Sequence, residues 1–263
     1  MNSNLNTRYE MFSRGIFVDP MVNVERLISL ARKLKPYKTN IDLIRLGANS
    51  DGGYLVPNDL DGVDACFSPG VDQIASFESD LLKLGINSHL ADYSVNKVPE
   101  GFEAKSFIQK FIGANNTDVY ITLEEWMSQK YDLKTCPDLI LQMDIEGAEY
   151  ASLLATPLDI LSKFRIMVIE FHDIEIWSQQ HFLNIVELVF EKILKEFTIV
   201  HNHPNNAMGT VDLNGFKAPR LLEITFLRKD RIQKYEGFCD LPHALDFPNL
   251  NDRPDIIFGE DWK

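Results

Sequence analysis

Cysteine is scarce in this chain: among 263 residues there are three, Cys66, Cys136 and Cys239, an odd number placed far apart. Two of them sit beside apolar runs, which favours small buried hydrophobes in a reducing compartment over disulfides or zinc ligands. No apolar run approaches the length that crosses a membrane, and the polar residues 1–10 lack the apolar core of a signal peptide. We therefore expect a cytoplasmic protein with no membrane partner.

Clusters of lysine and arginine are also missing. The chain carries 39 acidic residues against 26 basic ones, and its net charge is −13. Because a phosphate backbone attracts basic surfaces, this composition predicts that nucleic acid is not a partner. A compact anionic substrate stays compatible with it, since a local site can oppose the global charge. The oligomeric state is left open, with a homodimer as one alternative.

What the chain does contain is an alternation of apolar strands and amphipathic helices. A length of 263 residues with 45% hydrophobic residues suits one large α/β domain. Seven strands are predicted, at residues 63–67, 87–91, 104–112, 139–143, 164–171, 197–201 and 221–228. Alternating strands and helices predict a mostly parallel sheet covered on both faces. The last two strands are separated by a predicted loop at residues 202–209 and no helical pattern, which predicts an antiparallel edge strand.

Three regions are expected along the chain. Residues 1–40 are predicted to form an N-terminal helical extension, loosely ordered up to residue 20 and carrying a helical stripe at residues 21–34. Residues 41–230 form the main domain, which opens with a hairpin around Asn49-Ser50-Asp51-Gly52-Gly53. Residues 231–263 become rich in proline, aspartate and asparagine and are predicted to pack on the domain as an irregular tail.

Three carboxylates within six residues follow the fourth predicted strand. Asp144, Glu146 and Glu149 come directly after the apolar run that ends at Met143. Ligands of open α/β sheets bind at the carboxyl ends of the strands, so this stretch predicts the working edge of an enzyme. Acids are also favourable at a helix start, which explains Glu149 but not Asp144. We predict a functional role for Asp144, helix chemistry for Glu149, and leave Glu146 open between the two.

Histidines mark the ends of the next two predicted strands. Glu170 and His172 are two residues apart and share a face if their strand continues, and His203 follows the sixth strand. Convergence with Asp144 would create a carboxylate–imidazole cluster. Such a cluster can bind a divalent metal through Asp144, Glu170, His172 and His203, or can supply acid–base groups without metal, with Asp144, His172 and His203 as the catalytic residues. Both interpretations stay open.

A tight turn, Ser68-Pro69-Gly70, follows the first predicted strand. In such a turn, backbone N–H groups can meet a ligand at a helix amino end. Asp92 closes the second strand about 20 residues after Gly70, the position from which an acid commonly binds ribose hydroxyls. The two features predict an adenosine-type cofactor, and the lack of a GxGxxG pattern argues against NAD. A plain turn with a helix-capping Asp92 is the structural alternative.

With these residues placed, the chain resembles the FkbM-type methyltransferases over about residues 41–229. The matching motifs are Asp51-Gly52-Gly53-Tyr54, Ser76-Phe77-Glu78, Met143-Asp144-Ile145-Glu146-Gly147-Ala148-Glu149 and Glu223-Ile224-Thr225-Phe226. The Asp-x-Glu-Gly-Ala-Glu match is the most specific of them. The resemblance implies a Rossmann-like class I methyltransferase fold that uses S-adenosylmethionine, usually to methylate a hydroxyl of a sugar or a natural-product intermediate. The first turn departs from the usual methyltransferase pattern, because it is poorer in glycine.

The expected cofactor contacts combine the motifs with this resemblance. They are Asp51, Gly53 and Tyr54 in the hairpin, Ser68, Pro69 and Gly70 in the first turn, Glu78 in the following helix, and Asp92 and Asp144 at strand ends. The hairpin is included because it directly precedes the cofactor-binding strand and can fold over the cofactor, although an Asp-Gly-Gly turn needs no function. Methyl transfer to a hydroxyl also needs a base or a cation such as Mg²⁺ or Mn²⁺.

The sequence is therefore compatible with three functions. The first is an S-adenosylmethionine-dependent O-methyltransferase acting on a small polar metabolite or a sugar-linked substrate of surface-polysaccharide or natural-product synthesis. The alternative is a metal-dependent hydrolase that uses the same acids and histidines, which leaves Gly70 and Asp92 without a role. The third is a non-catalytic module that kept the fold. It ranks last because the polar groups cluster at one edge.

Overall fold

The structure, a computed structural model, describes residues 2–18, 20–71, 75–103 and 106–262. Within these ranges the α-helices are α1 (Asn2–Ser13), α2 (Val24–Lys33), α3 (Ser76–Lys83), α4 (Leu123–Ser128), α5 (Glu149–Ala155), α6 (Leu158–Leu161) and α7 (Gln180–Glu196). The strands are β1 (Tyr37–Thr39), β2 (Leu43–Leu46), β3 (Tyr54–Pro57), β4 (Ala65–Pro69), β5 (Asn87–Ala91), β6 (Phe107–Ile108), β7 (Phe111–Ile112), β8 (Tyr120–Ile121), β9 (Leu139–Met143), β10 (Phe164–Phe171), β11 (Phe197–Leu213), β12 (Phe216–Arg228) and β13 (Tyr235–Phe238).

One seven-stranded sheet organises the fold, in the order β11-β12-β10-β9-β4-β5-β6. Every neighbouring pair from β10 to β6 is parallel, whereas β12 is antiparallel to both β10 and β11. The predicted seven-stranded, mostly parallel α/β sheet is confirmed. The predicted antiparallel edge strand is wrong in position, because the reversed strand β12 returns between β10 and β11. The edge strand β11 therefore runs parallel to the rest.

The loop predicted at residues 202–209 is also wrong, because β11 continues through it. Asparagines are typical of turns, and that composition suggested the loop. Here Asn202, Asn205 and Asn206 are buried, and their side-chain amides donate to Leu34 O, Glu170 Oε1 and Leu250 O respectively. Tertiary acceptors satisfy these amides, so the segment remains in the sheet. A register shift between Asn205 and Thr210 marks the local irregularity.

Two other strand predictions need correction. The strand expected at residues 63–67 is β4, two residues later, so Ser68 and Pro69 belong to the strand rather than to a turn. Ser68 is buried there, and its hydroxyl has polar partners, because it lies 2.5 Å from Glu78 Oε1 and 2.7 Å from Gln142 Oε1. The strand expected at residues 104–112 divides into β6, in the main sheet, and β7, which pairs with β8. Residues 104 and 105 lie outside the described ranges.

The amino-terminal region contains more helix than expected. Residues 2–13 form α1 instead of a loosely ordered segment, although they carry no continuous apolar stripe. An ion pair one turn apart, between Arg14 and Glu10 at 2.7 Å, supports the end of this helix. The helix predicted at residues 21–34 is confirmed as α2, with the bounds Val24–Lys33. It begins after Asn23, whose side chain accepts the N–H of Glu25.

Two hydrophobic cores cover the opposite faces of the sheet. The larger contains α2 and α7 and takes in Phe258 and Trp262 from the tail. The smaller contains α3 and the hairpin of β2 and β3, with Leu46, Val56 and Phe77 among its buried residues. The predicted hairpin is confirmed, because β2 and β3 pair antiparallel. It lies on the face of the sheet that also carries the acidic residues described next.

Candidate active site

The strand register places four polar side chains in one row at the carboxyl end of the parallel strands. Glu170 pairs with Glu223, and Glu223 pairs with His203. Asp144 follows the last residue of β9 that pairs with β10, so it lies opposite Glu170. Opposed residues of neighbouring strands project from the same face of a sheet. The row therefore collects Asp144, Glu170 and His203 on one face and adds Glu223 between the last two.

The turn after β9 determines where its three acids point. Glu146 and Gly147 have positive φ angles of 56° and 98°, a conformation that is costly for glutamate and free for glycine. Glu149 holds this turn, because its Oε1 accepts the N–H of Ile145 at 3.1 Å and that of Gly147 at 3.2 Å. Glu149 is consequently fully buried, whereas the side chain of Glu146 is 87% exposed.

His172 is the centre of the first cluster. Its Nδ1 lies 3.1 Å from Glu149 Oε1, and its Nε2 lies 3.4 Å from Glu146 Oε2 and 3.7 Å from Asp144 Oδ1. The backbone of His172 is held as well, since the Tyr150 hydroxyl donates to its carbonyl at 2.9 Å. Asp144, Glu149 and His172 each offer a ligand atom within 4.8 Å of the others, the spacing of a metal-binding cluster.

The charges of this cluster change two pKa values. Burial alone would lower the pKa of His172, but the hydrogen bond to Glu149 and the charges of Glu149, Asp144 and Glu146 raise it to about 9. Burial raises the pKa of Asp144 to about 7, helped by the neighbouring acids and opposed by His172. At neutral pH the cluster on its own therefore keeps a proton on His172, and a bound cation would compete with that proton.

A second cluster contains Asp51, Glu170 and Glu223, which also offer oxygens within 4.8 Å of one another. Asn205 Nδ2 donates to Glu170 Oε1 at 3.0 Å, and Asn249 Nδ2 lies 2.5 Å from Glu223 Oε1. Burial raises the pKa of Glu223 to about 7 and that of Glu170 well above its usual value, and neighbouring carboxylates contribute to both shifts. These are carboxyl groups that lack a full counter-charge.

The predicted metal ligands thus divide between different partners. Asp144 and His172 meet each other and Glu149, whereas Glu170 meets Asp51 and Glu223. His203 faces Asp246 of the tail, whose Oδ2 lies 3.8 Å from its Nδ1, and His201 Nε2 lies 2.9 Å from the other oxygen of Asp246. Burial lowers the pKa of His203, but Asp246 and Glu223 more than compensate and raise it. The set of four predicted ligands is not brought together as one site.

The predicted cofactor residues surround the topological switch point of the sheet. The chain leaves β4 for β5 on one side and resumes in β9 on the other, and ligands of such sheets bind at the carboxyl ends flanking this point. Gly70 lies there with φ 83°, and a Cβ on it would stand 1.4 Å from the carbonyl oxygen of Asp144. Its N–H donates to Ala91 O at 2.9 Å, so this group is not the ligand donor expected of the turn.

Asp92 follows β5 beside the same crevice. Its Oδ1 accepts both the N–H and the hydroxyl of Ser94 at 2.7 Å, which fixes the carboxyl in a local turn. Ser94 belongs to no helix, so Asp92 is not a helix cap. The residue thus occupies the position expected for an acid that binds ribose, with one oxygen already engaged by the chain.

The remaining predicted cofactor residues lie in α3 and the hairpin, on the face of the sheet that carries Asp144. Glu78 and Tyr54 are buried, and Gln142 links them, because it bonds to Ser68 and its Nε2 donates to the Tyr54 hydroxyl at 3.3 Å. The hairpin turn is tied to α3, since Ser76 Oγ donates to Gly52 O and accepts the N–H of Ala48. Gly53 is needed within the turn, because a Cβ on it would stand 1.8 Å from Ala48 O.

A cavity of about 400 Å³ opens between the two clusters. Six acidic side chains contribute to its lining: Asp51, Asp144, Glu146, Glu170, Asp173 and Glu175. Arg220 also lines it and is paired with Glu175 at 2.6 Å. A cavity with this excess of carboxylates favours cations and cation-bound ligands over free anions.

Several residues of the site escaped the sequence interpretation. Glu149 was assigned to helix chemistry, but it also positions His172. Glu223 was noted only as part of a family motif, and Asn249 and Asp246 lie in the tail, more than 20 residues further along the chain. The sequence does contain a signal for Glu223. This acid lies within an apolar strand, and an acid buried there needs a partner.

The chain was compared with known protein families and with curated proteins. No known protein family matches the chain, and no curated protein matches it significantly. Among the described residues, no helix has the length and apolar composition that crossing a membrane would require.

Proposed function

We propose that this protein is an S-adenosylmethionine-dependent O-methyltransferase of the FkbM type, acting on a small polar or sugar-linked substrate with a divalent cation at the same sheet edge. One observation carries the proposal: the switch point at Gly70 directly touches Asp144, which belongs to the cluster with Glu149 and His172. The strand end at which the cofactor would bind is thereby in backbone contact with the polar cluster that would carry out the reaction. The seven-stranded, mostly parallel sheet supports the fold class that the resemblance implies.

The residues at the switch point fit an adenosine-type cofactor. Asp92 presents a fixed carboxyl for ribose hydroxyls, and Gly70 keeps side-chain atoms out of the crevice. When bound, S-adenosylmethionine supplies a methyl group on a sulfonium. The carboxylates of Asp144 and Asp51 lie at the same edge and favour that positive charge over the neutral product.

The first cluster fits a divalent cation. Asp144 Oδ1 and Glu149 Oε2 are buried oxygens without a hydrogen-bond partner, and buried acceptors of this kind normally have one. Together with His172 they form a carboxylate–imidazole donor set, which suits Mn²⁺ and Mg²⁺. A cation in this position would lower the pKa of a hydroxyl bound to it.

His172 would hold the cation through Nε2 in this proposal. Glu149 occupies Nδ1, so Nε2 is the nitrogen on the side of Asp144 and Glu146. In the protein alone its pKa of about 9 keeps the imidazole protonated at neutral pH. Positive charge entering among the acids would lower this pKa, so that Nε2 would lose its proton and could hold the cation, and a hydroxyl bound to the cation would release its proton to solvent. Alignment of hydroxyl and methyl supplies the remaining rate gain.

Calorimetry with S-adenosylmethionine and S-adenosylhomocysteine tests the proposal. We expect both to bind the wild type, and the Asp144→Ala variant to bind S-adenosylhomocysteine, to bind S-adenosylmethionine more weakly, and not to methylate. Asp173→Asn is a matched control, because Asp173 lines the same cavity, belongs to neither cluster, and has a φ of 59° that asparagine tolerates. Absence of cofactor binding at millimolar concentration would refute the proposal.

A metal-dependent hydrolase is the second candidate. The observation that favours it is the presence of two carboxylate clusters on one cavity, since hydrolases often place two cations around the scissile bond. It leaves the switch-point residues Gly70 and Asp92 without a role. Product analysis separates the two: a methylated product that forms only with the methyl donor supports the transferase, and cleavage without it supports the hydrolase.

A further inference from the structure

We propose that Asp51, Glu170 and Glu223 bind a second divalent cation, separate from the one assigned to Asp144, Glu149 and His172. One carboxylate oxygen of each lies within 4.8 Å of the others. The three residues come from the turn between β2 and β3, from β10 and from β12. Only the assembled fold brings them together, so the cluster is not a by-product of a local acidic stretch.

Two of these acids are buried side by side, and among the described residues no lysine or arginine forms an ion pair with either of them. Glu170 and Glu223 are 3% and 5% exposed and face each other across the ladder of β10 and β12. Within the described residues their hydrogen bonds come from the amides of Asn205 and Asn249. Buried carboxylates in contact need a proton or a cation to offset their repulsion and desolvation. A cation site satisfies both residues at once.

Glu223 feels the positive charge of His203 and, more weakly, that of Arg45. The guanidinium of Arg45 does not form the missing ion pair, because Nε donates to Ala48 O at 2.9 Å and the guanidinium also bonds to Ser50 O. These contacts hold Arg45 against the hairpin turn. The positive charge of Arg45 therefore reduces the repulsion among the carboxylates, but Arg45 does not form an ion pair with them.

Unpartnered buried groups at the cluster point independently to a missing ligand. Asn249 Nδ2 lies 3.2 Å from Asp51 Oδ1 as well as 2.5 Å from Glu223, yet its own Oδ1 is buried with no hydrogen-bond partner. His203, opposite Glu223 in the ladder, is buried with neither ring nitrogen hydrogen-bonded. Such orphaned groups are rare in folded proteins and commonly mark an ion or water site. A rotation of the Asn249 amide by 180° would exchange Nδ2 and Oδ1 and give the cation a fourth oxygen ligand.

The donor set determines the class of cation. Three carboxylates and an amide oxygen are hard ligands, which select Mg²⁺, Ca²⁺ or Mn²⁺ over thiophilic metals. The first cluster differs because it includes an imidazole. Asp144 and His172 of the first cluster and Asp51 and Glu170 of the second line the same cavity, so a ligand there would meet two cations. Binding of the second cation does not depend on methyl transfer and can be measured without the methyl donor.

Equilibrium dialysis of the full chain against Mn²⁺ near neutral pH measures the number of cations directly. We expect two Mn²⁺ per chain in the wild type, one in Glu223→Gln, one in Asp51→Asn and one in His172→Ala. The Asp173→Asn control removes the same charge from the cavity outside both clusters, and it should retain two. Asp51 is exposed, so Asp51→Asn decides the question if Glu223→Gln fails to fold by circular dichroism.

A wild type that binds no Mn²⁺ would overturn the second site, and so would a folded Glu223→Gln or Asp51→Asn protein that binds as many Mn²⁺ as the wild type. In either case Glu170 and Glu223 share a proton instead. The outcome is distinguishable from failure of the methyltransferase proposal. Two bound Mn²⁺ without S-adenosylmethionine binding would retain the cation site and reject the transferase.

Discussion

Glu149 Oε1 lies 3.1 Å from His172 Nδ1, and the same oxygen accepts the backbone N–H groups of Ile145 and Gly147. A single buried carboxyl therefore joins the turn after β9 to the end of β10. It selects which nitrogen of His172 faces Asp144, and it holds the turn that brings Glu146 to the surface. Both strand ends of the site depend on this one side chain.

The first prediction concerns Glu149→Gln. This change keeps the size of the side chain but removes its charge beside His172, so the pKa of His172 should fall. We expect affinity for Mn²⁺ and any methyl transfer to fall by about 10- to 100-fold, the range for groups that orient a ligating imidazole. NMR titration of the imidazole and Mn²⁺ binding measure the two effects.

Glu146→Gln is the matched control for that change. It removes one charge near the same imidazole, but Glu146 is largely exposed and holds no backbone group. Its effects on the pKa of His172 and on Mn²⁺ affinity should be much smaller. Equal effects from the two variants would mean that Glu149 acts only through its charge and does not position His172.

The second prediction compares two glycines with the same backbone conformation. Gly70 and Gly85 both have φ 83°, but a Cβ on Gly70 would collide with Asp144 O at 1.4 Å, whereas a Cβ on Gly85 meets nothing within 4 Å. Gly85→Ala should lower the free energy of unfolding by about 1–2 kcal/mol, the cost of a left-handed alanine. Gly70→Ala should lower it by more and weaken cofactor binding. Chemical denaturation measures both, and equal losses would contradict the close contact at the switch point.

The third prediction concerns the acid limb of stability. Burial disfavours the charged form of Asp246, but the contacts from His201 and His203 outweigh it and lower the pKa of Asp246 well below its usual range. A lowered pKa in the folded state stabilises the protein above the unfolded pKa, about 3.9, and this contribution is lost as the pH falls below that value. The stability advantage of the wild type over Asp246→Asn should therefore begin to fall below about pH 4, and it should be smaller at about pH 3 than at about pH 5.5.

Urea unfolding at the two pH values tests this expectation. Asp246→Asn should be less stable than the wild type at the higher pH, and the difference should shrink at the lower one. In the wild type the pKa of His203 is raised and that of His201 is lowered, so His203 is the protonated partner of Asp246 at the higher pH. An Asp246→Asn protein as stable as the wild type at the higher pH would show that Asp246 is not the charged partner of His203.

Local sequence patterns predicted much of the sheet, because single strands and turns depend on nearby residues. The bounds of β5, β9 and β10 were predicted to the residue from apolar runs that end in polar ones. Gly85 follows the end of α3 with a positive φ, as a glycine after a helix commonly does. The same local logic failed at Asn202, Asn205 and Asn206, because their acceptors lie far away in the chain and convert turn-forming residues into strand.

The candidate site was only partly predictable for the same reason. Asp144 and His172 stand at strand ends, where topology alone brings functional groups together. Their choice of partners depends on which strand lies next to which, and β12 entered between β10 and β11 rather than at the edge. That insertion places Glu223 beside Glu170 and moves His203 one strand further from Asp144. Glu149 required knowledge of the turn that it closes.

The most direct test of the account is anomalous diffraction from crystals soaked with S-adenosylhomocysteine and Mn²⁺. We expect the nucleoside at the carboxyl ends of β4 and β5, beside Gly70 and Asp92, and a manganese peak between Asp144 and His172. Nucleoside density at a different edge of the sheet, or none at saturating concentration, would contradict the assignment of this protein as a methyltransferase.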